Sequence, residues 1–398
     1  MKKQQTLNGV IRLNSIVIKG VFLIFSSIFL DANSFKILGL IVANSSFITI
    51  LFGLEFYRFC QRESGANLNN RSNIYANQLL TYFSSYLIFA LPIFLFGTYF
   101  FTPQISLLFL FICISDHLSQ EFYRVLIFEE LQLRGSLILF LRSSAWSLVV
   151  LFLYLLKFSI SLELILVLWL SFSIMSIVIG FFILNKQLIF TSIKYSFKWI
   201  LRGLKLNIII LISALSFRSL LTFDRNALEI FYPSNLAEYI FIGSFIGIFL
   251  VIADSVIFSF YFPRILKSDD FKEQKKLISS SMVQIVILGL TYFFVINVLY
   301  FGIKETNFKP EFFQNYGFLF YGSCSMLILS FSIVPNYLLY AKKKDFLIAK
   351  INILIILASL FLLYFIKDIS VYSINIALIF ASVLLFITKM YYAKKISS

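Results

Sequence analysis

The sequence predicts an all-α, polytopic membrane protein with twelve transmembrane helices in two six-helix bundles, a parallel 6+6 repeat. Composition, the spacing of the apolar runs and the alternation of basic residues carry that expectation. Of the 398 residues 60% are hydrophobic and 13% charged, and Phe alone occurs 50 times. A soluble domain does not keep so little polar surface. At about 20 apolar residues per crossing, this content fills roughly a dozen spans and leaves little over.

Apolar runs bounded by charged or turn residues place spans near 14–30, 37–61, 77–101, 104–128, 135–156 and 162–184, then 205–223, 236–260, 277–302, 312–340, 345–366 and 370–391. The leading "MKKQQTLNGVIRLNS" is polar over a long stretch and lacks a small-residue cleavage site, so the first span is expected to stay attached. Cys60, Cys113 and Cys324 stand singly in apolar runs, which reads as buried thiols rather than disulfides or metal ligands. With the N-terminus in the cytoplasm, the great majority of the 34 Lys and Arg residues fall at cytoplasmic ends, and the bias alternates at every loop. The +15 net charge is then a topology signal, and nucleic acid is not expected as a partner. The longest polar piece of the first half, "CQRESGANLNNRSNIYANQ", is only a loop. That disfavours membrane enzymes built around an extramembrane catalytic domain.

Residues 11–31 can be laid over 204–224 without a gap, matching Asn14 to Asn207 and Asp31 to Asp224 and placing Arg12 on Lys205. The offset divides the chain into halves of six spans entering from one side, as in many transporters. The expected domains are a bundle over 1–184, a cytoplasmic amphipathic linker helix over 185–204 and a second bundle over 205–398. In the linker Lys194, Lys198 and Arg202 repeat every four residues while Ile193, Phe197, Ile200, Leu201 and Leu204 form another face.

Charges inside spans mark protein interiors or watery cavities, because each costs about 2.5–3.5 kcal/mol at mid-bilayer. In "ICISDHLSQEFYRVLIF" Asp116, His117, Gln120, Glu121 and Arg124 fall within an arc of about 140° on span four. Asp116 and His117 are expected near the midplane, and Glu121 can pair with Arg124 at i, i+3. Either these groups only neutralise one another or they line a solute path. On span two Asn44, Glu55, Arg58 and Arg62 project to one side, with snorkelling the competing account for the last three. Arg142 on span five has no acid within helical reach and needs a partner such as Glu121 or a ligand. Arg218 is expected about 20 Å from the start of span seven, near the midplane, with Thr222 and Arg225 on its face. Asp254 on span eight is expected to be strongly buried. Candidate pathway residues are therefore Arg218, Arg142, Arg124, Arg58 and Arg225. Candidates for ion coupling or charge pairing are Asp116, His117, Glu121, Glu55, Asp254 and Asp224, with no catalytic residue, metal site or cofactor.

Four stretches resemble the polysaccharide repeat-unit flippases, the O-antigen type transporters of the MOP exporter superfamily. They are "EFYRVLIFEELQLRGSLILFLRSSAW" (121–146), "LLTFDRNALEIFYPSNLAEYIF" (220–241), "FYFPRILKS" (260–268) and "FGLEFYRF" (52–59). Where such proteins often carry Gly before the tyrosine matching Tyr239, this chain has Ala237 and Glu238. The resemblance implies a V-shaped pair of bundles around a central cationic cavity in the bacterial inner membrane. It also implies a lipid-linked oligosaccharide as cargo, moved outward by alternating access, with both termini cytoplasmic. The bilayer and other polysaccharide assembly proteins are the implied partners, and a monomer is expected. Arginine suits such cargo because its fork binds diphosphate or uronate oxygens bidentately. The alternative is a multidrug or cation exporter of the same superfamily, which wants an acid deep in span one, where this chain has Lys19. A membrane enzyme of polysaccharide assembly is further off. His117 is followed by Phe122, so no HxxxxD motif exists, and a polymerase's large outer loop is missing.

Overall fold

The chain is a multi-pass membrane protein, nearly all helical, and the described residues contain no strand. The structure, a computed structural model, describes residues 2–66, 71–185, 195–268, 270–306 and 309–397. Eleven described helices are long and apolar enough to cross a membrane, and the apolar part of the first helix, Ile18–Phe29, is shorter. Helices are what such runs must form, since lipid leaves no water to satisfy a backbone N–H or C=O.

The fold divides into two compact units, Met1–Leu211 and Ile212–Ser398. In the first, α1 spans Lys2–Phe29, α2 Ala32–Gly53, α3 Phe56–Ala66, α4 Arg71–Phe100 and α5 Pro103–Phe128. Helix α6 (Gln132–Phe140) passes through a π turn at Leu141–Ala145 into α7 (Trp146–Leu155), and α8 covers Leu162–Asn185. Asp31 caps α2, accepting from the N–H groups of Asn33 and Ser34 at 3.1 Å each. Hydrogen bonds from Ser34 and Asn33 hold its carboxyl below the usual range. Thr102 and Pro103 start α5 in the same way, with a side-chain cap and a proline that has no N–H to lose. Helix α5 lies at the centre of this unit, packed against α2, α4, α6 and α8. Trp146 and Trp169 stack at 5.0 Å, and Phe22 meets Trp146 edge-on at 4.8 Å. Small residues let helices approach: a Cβ at Gly180 would stand 3.0 Å from Phe122 of α5.

Helix α9 (Phe197–Leu220) leads from the first unit into the second. The second unit continues with α10 (Phe223–Phe231) and α11 (Leu236–Ala253), a π turn at Asp254–Phe258, and α12 (Ser259–Lys267). Next come α13 (Phe271–Glu305), α14 (Tyr316–Ala341), α15 (Asp345–Ile366) and α16 (Ser373–Ser397). Helix α14 packs along α16 and against α11, α13 and α15.

Three expectations are corrected. Span two is not one helix over 37–61: α2 stops at Gly53, and Leu54 and Glu55 take left-handed φ values of 50° and 52° before α3 begins. The helix of span seven starts at Phe197 and runs unbroken through 204 and 205, so no joint separates the end of the expected linker from that span. Lys194 and Ile193 lie outside the described residues. The same helix ends at Leu220, and the chain turns at Leu221 and Thr222 into α10.

Candidate functional site

The central helix of the first unit carries polar groups toward two different neighbours, which resolves the single stripe expected on α5. Asp116 turns toward α8, where its Oδ1 accepts from Ser173 Oγ at 2.8 Å and from Trp169 Nε1 at 3.2 Å. Arg142, set on the π turn of span five, donates to the Asp116 carbonyl at 3.4 Å and to Gln120 Oε1 at 3.3 Å. Its partner is therefore not Glu121, and no carboxylate lies within ion-pair distance of it among the described residues. A π turn adds one residue to a helical turn and so re-aims the side chain it carries. Lys19 of α1 stands 5.6 Å above the Trp169 ring.

The other side of α5 meets α4 and the break between α2 and α3. Glu121 is 3% exposed. It accepts from Tyr82 Oη at 2.6 Å, from Gln78 Nε2 at 3.0 Å and from the Arg124 guanidinium, so the i, i+3 pair forms. The Arg124 guanidinium also lies 3.8 Å over the Tyr57 ring. Glu55, buried at its left-handed position, accepts from Arg58 Nε at 2.6 Å, and the same Nε lies 3.2 Å from Tyr57 Oη. Because the helix breaks at Gly53, Glu55 and Arg58 do not continue the face that carries Asn44, and Arg62 on α3 is exposed. His117 is fully buried. Its Nδ1 shares a 2.6 Å hydrogen bond with Tyr86 Oη, while Nε2 has no hydrogen bond and faces Glu121 Oε1 at 3.7 Å. A cleft between α4, α5 and α8 reaches Gln78, Tyr82 and Glu121, with about 50 Å³ open to the centre of a water molecule.

In the second unit the position of Arg218 along its helix differs from the expectation. It sits in the last turn of α9, because that helix starts earlier and ends sooner than the apolar run suggests, and Arg225 belongs to α10. The two guanidinium groups remain electrostatic neighbours. The Arg225 fork lies over Gly243 of α11, 3.9 Å from where a Cβ would be. Asp224 is buried and accepts from Tyr239 Oη at 2.6 Å. Asp254, expected to be buried, is exposed, and among the described residues it has neither hydrogen bond nor ion pair. It opens the π turn of span eight, which points it away from the packed face of α11.

Sequence reasoning missed two buried charges. Glu238 accepts from the Asn315 N–H at 2.5 Å and from Asn315 Nδ2 at 2.6 Å, tying α11 to the segment that begins α14. Lys389 on α16 is 1% exposed, with its Nζ 5.6 Å over the Phe217 ring and no carboxylate in ion-pair reach among the described residues. It follows "LLFIT" in the last span, ahead of the terminal Lys394 and Lys395, and that position was its only signal. Cys60 and Cys113 are buried and Cys324 is half-buried, all as free thiols. Among the described residues no three His, Cys, Asp or Glu side chains gather as a metal site.

No protein-family model matches the sequence, and no curated protein does. Solved structures do. An inward-facing multidrug resistance MATE family transporter of the MOP superfamily is similar with a TM-score of 0.61 at 13% identity, covering 99% of this chain and 94% of its own. A Vibrio cholerae MATE transporter variant gives 0.60 at 13%, covering 100% and 98%. A MATE point mutant gives 0.61 at 11%, covering 99% and 94%. At such identities the likeness is one of fold alone: the chain has a MATE-like fold.

Proposed function

We propose that the chain is a membrane exporter whose cargo is an anionic headgroup carried on a lipid, of the polysaccharide repeat-unit class that its quoted stretches resemble. It would work in the bacterial inner membrane with both termini in the cytoplasm, alongside other polysaccharide assembly proteins. The MATE-like fold supports export as such. One residue supports the sign of the cargo: Lys389, sealed in the second unit without a carboxylate. Among the described residues the buried acids already accept hydrogen bonds from protein donors, Glu55 from Arg58, Glu121 from Tyr82, Gln78 and Arg124, Asp224 from Tyr239, and Glu238 from Asn315, as does the half-buried Asp116 from Trp169 and Ser173. A lysine at such depth costs about 2.5–3.5 kcal/mol until an anion meets it, and a diphosphate or uronate is such an anion.

A second reading, a multidrug or cation exporter, fits at least as well, since the structural neighbours are described as multidrug resistance transporters, and Asp254 favours a cationic cargo here. It is an exposed carboxylate within a span and has neither hydrogen bond nor ion pair among the described residues. Ligand-dependent unfolding of the purified chain in lipid nanodiscs separates the two. A polyprenyl diphosphate should raise Tm in the wild type and in Asp254→Asn but not in Lys389→Gln. Linkage sets the size, about 2.7 kcal/mol at 100 times Kd. Stabilisation by a cationic dye that disappears in Asp254→Asn, with none from the diphosphate lipid, would move the assignment to the second reading.

A further inference from the structure

We propose that His117 and Glu121 form a proton-binding site in the first unit, holding one exchangeable proton between them beside the break that ends α2. The site rests on the contacts of one imidazole. His117 is fully enclosed, yet only Nδ1 has a hydrogen bond, to Tyr86 Oη at 2.6 Å. Nε2 has none, although Glu121 Oε1 is its neighbour at 3.7 Å. A bare Nε2 accounts for that separation, since two lone-pair atoms facing each other repel and neither can donate. In this state the ring carries its proton on Nδ1 and donates it to Tyr86.

A proton arriving at Nε2 changes the pair. The imidazole becomes imidazolium, the carboxylate stays a carboxylate, and the new N–H points at Oε1. Closing from 3.7 Å to the usual ~2.9 Å takes a movement of about 0.8 Å. Glu121 is anchored for this by Tyr82, Gln78 and Arg124, so the histidine is the member that shifts. Its present seat is the backbone of Gly53, where a Cβ would stand 2.8 Å from Nε2. Gly53 is the last residue of α2, and Leu54 and Glu55 follow in left-handed conformations. The proton is thus read at the one place where α2 is already broken.

The other groups facing the pair set its field. From α4 come the phenols of Tyr82 and Tyr86, and from α3 come Arg58 and Cys60, the latter an electrostatic neighbour of Glu121. Glu55 and Tyr57 stand at and beside the break. Arg124 and Arg142 are electrostatic neighbours of the His117 ring, and Asp116, one position before it, turns its carboxylate away to α8. Glu121 is the only carboxylate in ion-pair reach of His117 among the described residues, so it alone supplies the compensating charge.

His117 is the single histidine of the chain, so ¹⁵N-histidine labelling reports this ring alone. In nanodiscs, the wild type should show one ring nitrogen passing from unprotonated to protonated as the pH is lowered through and below about 6.5. In Glu121→Gln the proton affinity should fall by roughly tenfold or more, since the anionic acceptor is gone. In Tyr82→Phe it should rise, because a carboxylate relieved of one donor is the better partner, and this milder change guards against a variant that does not fold. An imidazole that keeps one neutral tautomer throughout that range overturns the site. So does a titration that neither variant moves. The measurement uses no cargo, so its outcome is independent of whether the chain exports a lipid-linked sugar or a drug.

Discussion

Glu121 accepts from three side chains at once, so its removal strands a phenol, an amide and a guanidinium inside the bundle. Glu121→Ala is expected to destabilise by about 3–5 kcal/mol, the cost of breaking a buried pair from one side. Arg124→Ala leaves Tyr82 and Gln78 in place and sacrifices one charge-assisted bond and the contact over Tyr57, for about 1.5–3 kcal/mol. Thermal unfolding of both variants in the same detergent should rank them in that order, and equal losses would mean that the phenol and amide contribute nothing to holding the carboxylate. The Glu121–Arg124 pair was legible in the sequence because i, i+3 spacing on a helix is a local fact. The partners of Asp116 and Arg142 were not, since Trp169, Ser173 and Gln120 become neighbours only when α5 packs on α8 and on the π turn. Lys389 was hidden for another reason. Hydropathy groups it with Lys394 and Lys395 at the basic end of the last span, and only the packing of Phe217 against it shows its depth.

The helices themselves were nearly all readable as apolar runs, and what escaped was their interruptions. Two π turns, at Leu141–Ala145 and Asp254–Phe258, contain neither Gly nor Pro, and each carries a charge within a span. The stop at the end of α2 is similarly silent, because Gly53 is followed by Leu54 and Glu55, neither of which favours φ near 50°. Left-handed φ costs a non-glycine residue roughly 1–2 kcal/mol, more if it is β-branched. The break persists because Glu55 is held by Arg58 and because the N–H of Leu54 still reaches the carbonyls of Ile50 and Leu51. Leu54→Val is therefore expected to lower stability by about 1–2 kcal/mol and Leu54→Gly to be neutral or stabilising. Denaturation midpoints would test this, and a glycine variant less stable than the valine one would show that the leucine side chain, rather than the backbone, sets the conformation there.

At the scale of the molecule, the open quantity is the number of crossings and therefore the side on which each end lies. Eleven described helices qualify by length and hydropathy, and α1 does so only in its shorter part, Ile18–Phe29. Lys19 falls inside that part, and its ammonium lies 5.6 Å over the Trp169 ring, whose face offsets the charge. With 28 residues, α1 is about 42 Å long, ample for a hydrocarbon core of about 30 Å. Counted in, it makes the crossings even. The alternating Lys and Arg bias then predicts that both ends lie in the cytoplasm. Three reporter fusions decide this: one ahead of Met1, one after Ser398 and one in the 303–311 loop. The two terminal reporters should be active in the cytoplasm and the third outside, since α14, α15 and α16 separate that loop from the C-terminus by three crossings. Terminal reporters on opposite sides would show that α1 does not cross. A loop reporter on the same side as the one after Ser398 would mean that one of the last three helices lies in the membrane without spanning it.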